Sequence, residues 1–496
     1  MKRYFKYIQI SLALIMLGSC SDDYLAINDD PNNPTDVAPD LILPVAQKYS
    51  VSYNLADRYT NTLGNLFMVN WSQSDEYSWY YDEFNYSVSA AFYGRIWNAT
   101  YANTLKQYEV LCDLYVEDEN SIYDNYIGIA EIMQAYHFQT LVDTYGDIPY
   151  SEALERGNNP TPAYDDAQTI YDDLIVKIDN AIALIKATDS DDEVPGDDDI
   201  IFGGDMTSWI QFANTVKLRI LIRQSDVTSK QADITSGIAD IMSEGSGFIS
   251  ADVVANPGYE NDENKQSPFY ADYGLSVAGE DTNNMLATCA SDYIIGYLED
   301  TNDSRIDYLY SVPSTGTHLG VPQGLLDYPT GLYVSDQVSL LGPSLVSSPE
   351  QDAPVMLLAE SYFLQAEAIQ RNFMTGDAQA MYEAGISASF DYLGATGAST
   401  YYAQGIANVS WAATPDTDKI EAIITQKWLA LNGTNAHESW IEYNRTGFPS
   451  GIPVPLNNTN ADRPVRLSYP TSEITGNAGN LPDQPDEFTE YIFWHN

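Results

Sequence analysis

Residues 71–86 read Trp-Ser-Gln-Ser-Asp-Glu-Tyr-Ser-Trp-Tyr-Tyr-Asp-Glu-Phe-Asn-Tyr, seven aromatic side chains with no aliphatic one among them. Ser, Gln, Asn, Asp and Glu stand between the rings, and neither a helical nor a strand period fits. A core segment would recruit Leu, Ile and Val. Trp and Tyr instead join a flat apolar face to a hydrogen-bonding tip, which suits a half-wet recognition surface. A sugar ring, with one C–H face and a rim of hydroxyls, has the complementary chemistry. The residues expected to contact such a ligand are Trp71, Tyr77, Trp79, Tyr80 and Tyr81 by stacking, with Gln73, Asp75 and Glu76 reading hydroxyls. About half of the rings are expected to plug gaps between helices instead. A second tier of candidates is Tyr328 and Tyr333, which flank Pro329 and Gly331 in a tyrosine-rich irregular stretch.

Catalytic and metal signatures are sparse. The sequence contains no GxGxxG, Walker loop, GxSxG, HExxH or CxxC. Glu360 and Glu367 share one face of a helix, about 10.5 Å apart along its axis. That exceeds the ~5–5.5 Å of a retaining carboxylate pair and is marginal for the ~6.5–9.5 Å of an inverting one. The two are read as partners for Lys217, Arg219 and Arg223, a basic trio on another helix. The acidic run Asp189–Asp199 resembles a calcium loop only in composition, because Val194 and Ile200 occupy the positions where an EF-hand needs Gly and Glu. His137, on a helix, is read as a packed or hydrogen-bonded residue, and His318, His437 and His495 make no metal spacing. Cys112 and Cys289 are read as buried free thiols. The reading is therefore of a binding protein without cofactor or metal; a carboxylate glycoside hydrolase is the enzyme alternative.

Helices must position these residues. A first helical stretch runs from Pro39–Pro44 to about Asn70, a second from Val88 to Glu117 and a third from about Ile122 to Tyr145, ended by Gly146-Asp147-Ile148-Pro149. Ile170, Leu174, Ile178, Ile182 and Ile185 form one apolar stripe. Asp205 is placed to cap a helix that carries Trp209, Phe212, Val216 and Ile220. Regular pattern fades between about 248 and 348, then helices resume at 353–372, 377–393, 417–431 and about 436–443. The fold class is mainly α, paired helices with long irregular insertions.

The amino terminus sets the location. Lys2, Arg3 and Lys6 precede an apolar run from about Tyr7 to Leu17, then Gly18-Ser19-Cys20. About ten apolar residues cannot span a ~30 Å hydrocarbon core. A charged start, a short apolar run and small residues before the cut describe a secretory signal peptide. The cysteine after them is similar to that of a bacterial lipoprotein signal, which implies cleavage before Cys20 and lipidation there. Residues 1–19 are thus the leader and 20–496 one domain. The acidic Asp22-Asp23 that follows resembles an export signal to the outer face of the outer membrane; a plain polar tether is the alternative reading. Removing the leader takes away three basic residues and no acidic one, so the formal charge of −49 becomes −52. Such a charge excludes a nucleic-acid partner, whose binding depends on Lys and Arg.

Across nearly its whole length, and in order, the chain resembles the SusD/RagB family of nutrient-binding outer-membrane lipoproteins, in its SusD-like branch. The matching pieces include Asp30-Pro31-Asn32-Asn33-Pro34-Thr35, Trp71-Ser72-Gln73 and Tyr145-Gly146-Asp147-Ile148-Pro149-Tyr150. They continue through Phe212–Arg219, Glu360–Ala368, Gln426–Leu431, Glu438-Ser439-Trp440, Asn444-Arg445-Thr446-Gly447 and Arg466–Pro470. The resemblance implies tetratricopeptide-like helix pairs forming a curved scaffold. It also implies a SusC-like TonB-dependent transporter as partner, to which the lipid-anchored protein delivers ligand. Ligands are then expected to be oligosaccharides, with peptide or another nutrient as the alternative. No ligand-contact residue is carried over from the family.

Overall fold

The computed structural model describes residues 37–117, 122–458, 460 and 462–495. Cys20, the leader and the Asp30–Thr35 segment lie outside the described residues. Helix α1 spans Pro39–Leu55 and α2 spans Thr60–Phe67. The single helix expected to reach Asn70 is broken at 56–59. There Asp57 N–H leaves the helix to donate to Asp272 Oδ2 (2.7 Å), and Arg58 takes a φ of +61°. Strand β1, Trp71–Gln73, follows. The helix expected from Val88 begins only at Gly94, after Tyr93 in a left-handed conformation. Gly94–Ala99, a π-helical Thr100–Leu105 and α3, Lys106–Glu117, run on as one rod.

Helix α4 is Asp124–Tyr145, and Gly146 (φ +79°) ends it, as the Gly-Asp-Ile-Pro sequence predicts. Helix α5, Ala167–Ala187, starts on the Asp166 carboxylate, which accepts from Thr169 N–H (2.9 Å), and its isoleucine stripe is buried. Asp205 caps α6, Met206–Arg223, through Thr207 N–H (3.0 Å). Helix α7, Gln231–Glu244, was not anticipated; its short Ile234, Ile238, Ile241 stripe packs on Leu221 and Ile222 of α6. Strand β2 is Val253–Ala255 and β3 is Thr288–Ala290. The expected helix at 353–372 is shorter. Ala353–Met356 form β4, paired antiparallel with β2, so α8 covers Leu358–Gln370. Helix α9 is Ala378–Leu393, α10 is Lys419–Ala430 and α11 is Ala436–Thr446.

The packing order is α3 on α4, α4 on α5, α5 on α6, α6 on α8, α8 on α9 and α10, and α10 on α11. Successive helix pairs stacked in this way form a tetratricopeptide-like helical scaffold. The irregular insertion between α7 and α8 holds short helices at Pro268–Tyr273, Asn283–Ala287, Asp292–Asp300 and Ile306–Leu309. Arg305 pins it to the scaffold. Its guanidinium pairs with Asp303 (2.6 Å) and donates to Ser389 Oγ on α9 (2.9 Å) and Gln426 Oε1 on α10 (3.0 Å). The rings of Phe390 and Tyr401 lie against it.

The basic trio is buried in ion pairs. Arg219 faces Glu360 on α8 at 3.4 Å, as expected. Glu367 differs from expectation, because its carboxylate is taken by Arg445 of α11 (2.8 Å) and Arg371 (2.7 Å), which lie nearer its turn of the helix. Arg223 meets Asp143, Glu438 and Glu442, and Lys217 reaches out to Asp179 (2.5 Å).

Helix α2 crosses the start of α11 at Gly64. A Cβ there would lie 2.1 Å from the backbone of Ala436 and His437. Gly64→Ala should lower stability by roughly 2–3 kcal/mol or more, because only backbone movement relieves the overlap. Gly296→Ala, inside a helix with open space around it, should raise stability by up to about 1 kcal/mol. Thermal unfolding of both variants checks the pair; equal shifts would contradict the close crossing.

Candidate functional site

The aromatic segment hangs from β1. Antiparallel pairing sets Trp71 opposite Ala290 and Gln73 opposite Thr288, which brings the segment beside the insertion. Pairing also buries its first ring. Trp71 is 0% exposed and packs on Phe269 and Tyr273, so the expectation that it stacks on ligand is corrected: it is core. Tyr80 is corrected likewise. It is buried, its hydroxyl lies 2.6 Å from Thr288 Oγ1, and burial pushes its pKa up.

Gln73 is a strut, not a reader of hydroxyls. At 9% exposure, its Nε2 donates to Tyr77 O (2.8 Å) and lies 3.5 Å from the Tyr328 hydroxyl, and its Oε1 accepts from Tyr80 N–H (3.2 Å). One side chain thus ties the first-tier segment to a tyrosine 255 residues further on. Asp75 N–H adds a second tie, donating to Tyr333 O (2.7 Å). Glu76 then takes a φ of +86°, a left-handed turn uncommon for a side-chain-bearing residue, which reverses the chain before Tyr77. Beyond that turn Tyr77 and Trp79 stack with centroids 6.1 Å apart and planes within 19°. Tyr328 and Tyr333 meet edge to face at 6.1 Å.

The structure therefore brings Tyr77, Trp79, Tyr328 and Tyr333 together as half-buried rings around Gln73, with Asp75 half-buried and Glu76 exposed beside them. Tyr81 follows at 62% exposure, on a short helix, and no ring contact holds it to the other four. Two further residues belong to the platform and were not picked out from sequence. Arg58 donates to Trp79 O (3.3 Å), and Leu332, beside Tyr333, is exposed. Nothing in the sequence around Arg58 signals this; the contact across the α1–α2 turn supplies it.

The remaining chemistry is structural. Glu360 and Glu367 are both buried, each in its own ion pairs. His137 Nε2 lies 2.8 Å from Ser50 Oγ, and burial pulls its pKa down to about 3, so the ring is neutral. Cys112 and Cys289 are free thiols, and burial pushes both well up, away from a reactive thiolate. Asp199 is a hub of the fold, its carboxylate accepting from Gln47, Gly204 N–H and Trp209 Nε1. Among the described residues no group of His, Cys, Asp and Glu could hold a metal ion, and no helix is long and apolar enough to cross a membrane.

The family described as starch-binding, associating with the outer membrane, matches residues 31–470. The chain belongs to the SusD-like family. Solved structures agree with that fold. A chitin-binding SusD homologue from Flavobacterium johnsoniae superposes with a TM-score of 0.74 at 23% identity, covering 91% of this chain and 98% of its own. A SusD homologue from Bacteroides uniformis ATCC 8492 gives 0.75 at 22% identity, covering 93% and 100%. A SusD-like protein from Bacteroides thetaiotaomicron VPI-5482 gives 0.73 at 21%, covering 92% and 99%. No curated protein matches the sequence.

Beside the platform of this SusD-like protein, Glu83 is buried and accepts from the Tyr93 hydroxyl (2.9 Å). Burial pushes its pKa up to about 7. A carboxyl raised in the folded state stabilises when protonated, and that stability is lost as pH rises from the ordinary glutamate range through about 7. Glu83→Gln keeps the acceptor and removes the charge. It should stabilise the protein at pH 8 by up to about 3 kcal/mol, with little effect at pH 5. Unfolding curves of both proteins at the two pH values check this; a pH-independent difference would contradict it.

Proposed function

We propose that this SusD-like protein is a non-catalytic, cell-surface lipoprotein that binds oligosaccharide on the Tyr77–Trp79 and Tyr328–Tyr333 platform and delivers it to a SusC-like TonB-dependent transporter. The observation that carries the reading is the meeting of two pairs of half-exposed rings from distant parts of the chain, held by Gln73 and by the Asp75–Tyr333 backbone bond. Rings held from behind keep their faces in place, so little entropy is lost when a sugar stacks on them. Asp75 and Glu76 stand at the rim as acceptors for hydroxyls, and Tyr81 extends the aromatic surface. The family description as starch-binding supports a glycan ligand, and the chitin-binding neighbour supports the same class.

Cys20 is the proposed anchor. Cleavage before it would leave residues 20–496 as one unit, tethered by acyl chains; two or more are needed for stable attachment. The partner is the transporter, the membrane contact is the lipid, and the acidic balance of the chain fits no nucleic acid. The sealed Glu360–Glu367 pair supports binding without hydrolysis.

Trp79→Ala should weaken binding of a matching oligosaccharide by about 1–3 kcal/mol and lower the melting temperature only modestly, through the packing that its half-buried ring gives the core. Trp71→Ala should do the reverse, with large loss of stability from an emptied core site. Calorimetry against starch- and chitin-derived oligosaccharides, with an assay for released reducing ends, reads both. Sustained release of reducing ends would replace the binding role with a hydrolase. In cells, Cys20→Ser should move the protein from the membrane fraction to the soluble one; retention in the membrane would refute the anchor.

A further inference from the structure

One face of α1 stands open among the described residues. Leu41 is 64% exposed and Val45 41%, and Tyr49 and Tyr53 carry the row on at the same four-residue spacing. Tyr49 and Tyr53 are half-buried and stack at 5.5 Å with planes within 10°. Lys48, exposed beside Tyr49, has no ion-pair partner among the described residues. A wetted helix face carries polar and charged side chains. An apolar row with an unpaired cation at its side, on a chain of net charge −49, is instead the pattern of a covered surface.

The chain that enters α1 carries the complementary pattern. Residues 21–36 lie outside the described residues and lead directly into Val37. They contain one apolar run, Tyr24-Leu25-Ala26-Ile27, with Asp22-Asp23 before it and Asp29-Asp30 after it. Pro31-Asn32-Asn33-Pro34, between that run and the helix, is made of turn-forming residues. A reversal there lays the run back along α1. The lengths agree, since Leu41 to Tyr49 is about 12 Å along a helix axis and Tyr24 to Ile27 is about 10 Å of extended chain. In that direction Ile27 falls near Leu41 and Tyr24 near Tyr49, which sets Asp22-Asp23 beside Lys48. Other occupants fit less well. A second copy of the chain is repelled by like charge, and one row of side chains is far short of the ~800 Å² per partner that a stable dimer buries. An anionic lipid surface is repelled likewise.

We propose that residues 24–27 pack on the Leu41–Val45–Tyr49 face of α1, with the aspartates before them held by Lys48. The effect on the anchor rests on the reading of Cys20 as the lipidated residue. With the run undocked, the chain from Cys20 to Val37 reaches about 60 Å; with it docked, the chain from Cys20 to Tyr24 reaches only about 14 Å. The docked segment thus turns a long tether into a short one and holds α1 close to the membrane, which fixes how the Tyr77–Trp79 platform is presented.

The test uses the purified mature chain with Cys20→Ser as parent, so its outcome does not depend on lipidation. Chymotrypsin cuts after Tyr24 only when the run is undocked, and the rate of cutting tracks the undocked fraction. Mass spectrometry of the new amino terminus follows the cut in the parent and in the Leu41→Asp, Lys48→Glu and Leu25→Ser/Ile27→Ser variants. Leu41 and Lys48 are exposed, so both substitutions leave the fold intact. The expected result is a cut about tenfold faster in Leu41→Asp. Lys48→Glu speeds it by a smaller factor, and about 1 M salt erases the difference between Lys48→Glu and the parent. Thermal unfolding gives a second reading. Leu25→Ser/Ile27→Ser and Leu41→Asp each lower the melting temperature slightly, and together they lower it no further, because both remove one contact. Equal cutting of parent and Leu41→Asp, or melting shifts that add, would overturn the proposal. A dimer in sedimentation that Leu41→Asp dissolves would assign the face to a second copy. Parent binding to phosphatidylcholine vesicles that Leu41→Asp abolishes would assign it to lipid. Either result also overturns the docked segment.

Discussion

A buried web of charge holds the helix pairs in register. Arg223, on α6, is 0% exposed and meets Asp143 of α4 at 3.3 Å, Glu438 of α11 at 2.5 Å, and Glu442 of α11. Lys427 of α10 reaches Glu438 at 2.8 Å, and Arg445 of α11 grips both oxygens of Glu367 on α8 at 2.8 Å. Each charge has left water at a cost of several kcal/mol, recovered only through close, multiple pairing. The arrangement is all or none, since loss of one partner strands the others. The neighbouring cations hold the carboxyls of Glu367, Glu438 and Glu442 below the usual range against the opposing pull of burial. Trp494, near the carboxyl end, lies over Arg223 at 5.9 Å and helps to exclude water.

This web explains what a strongly acidic chain does with its few cations. Of 22 Lys and Arg residues, Lys217, Arg219, Arg223, Lys427 and Arg445 are committed to the interior. Arg305 is committed as well, as the peg of the insertion. The surface is thereby left acidic. The platform depends on the scaffold through a short chain of contacts. Arg305 fixes the insertion on α9 and α10, the insertion carries β3, β3 pairs with β1, and β1 presents Gln73. Asparagines reinforce the same corner. Asn65 Oδ1 accepts from both Asn70 Nδ2 and Gly433 N–H, joining α2 to the α10–α11 turn.

Much of this was legible in the sequence. The isoleucine stripe of α5, the Asp205 cap and the Gly146 stop are local signals, set by a 3.6-residue period or by one residue's backbone preference, and they hold wherever the segment packs. The 71–86 segment was legible as unusual, but not which ring does what. Trp71 and Trp79 are chemically alike and eight residues apart; strand pairing buries one, and a left-handed turn at Glu76 leaves the other half open.

The sequence by itself determined most of the long helices, their caps, the acidic balance and the unusual run of aromatic residues near 75, because these depend on residue type and on neighbours within a few positions. Tertiary structure alone decided which aromatic rings became core, which Glu met which Arg, and that residues near 75 and near 330 share one surface. Burial and charge pairing are properties of contacts between distant segments, and their energies are fixed only when the chain has closed on itself.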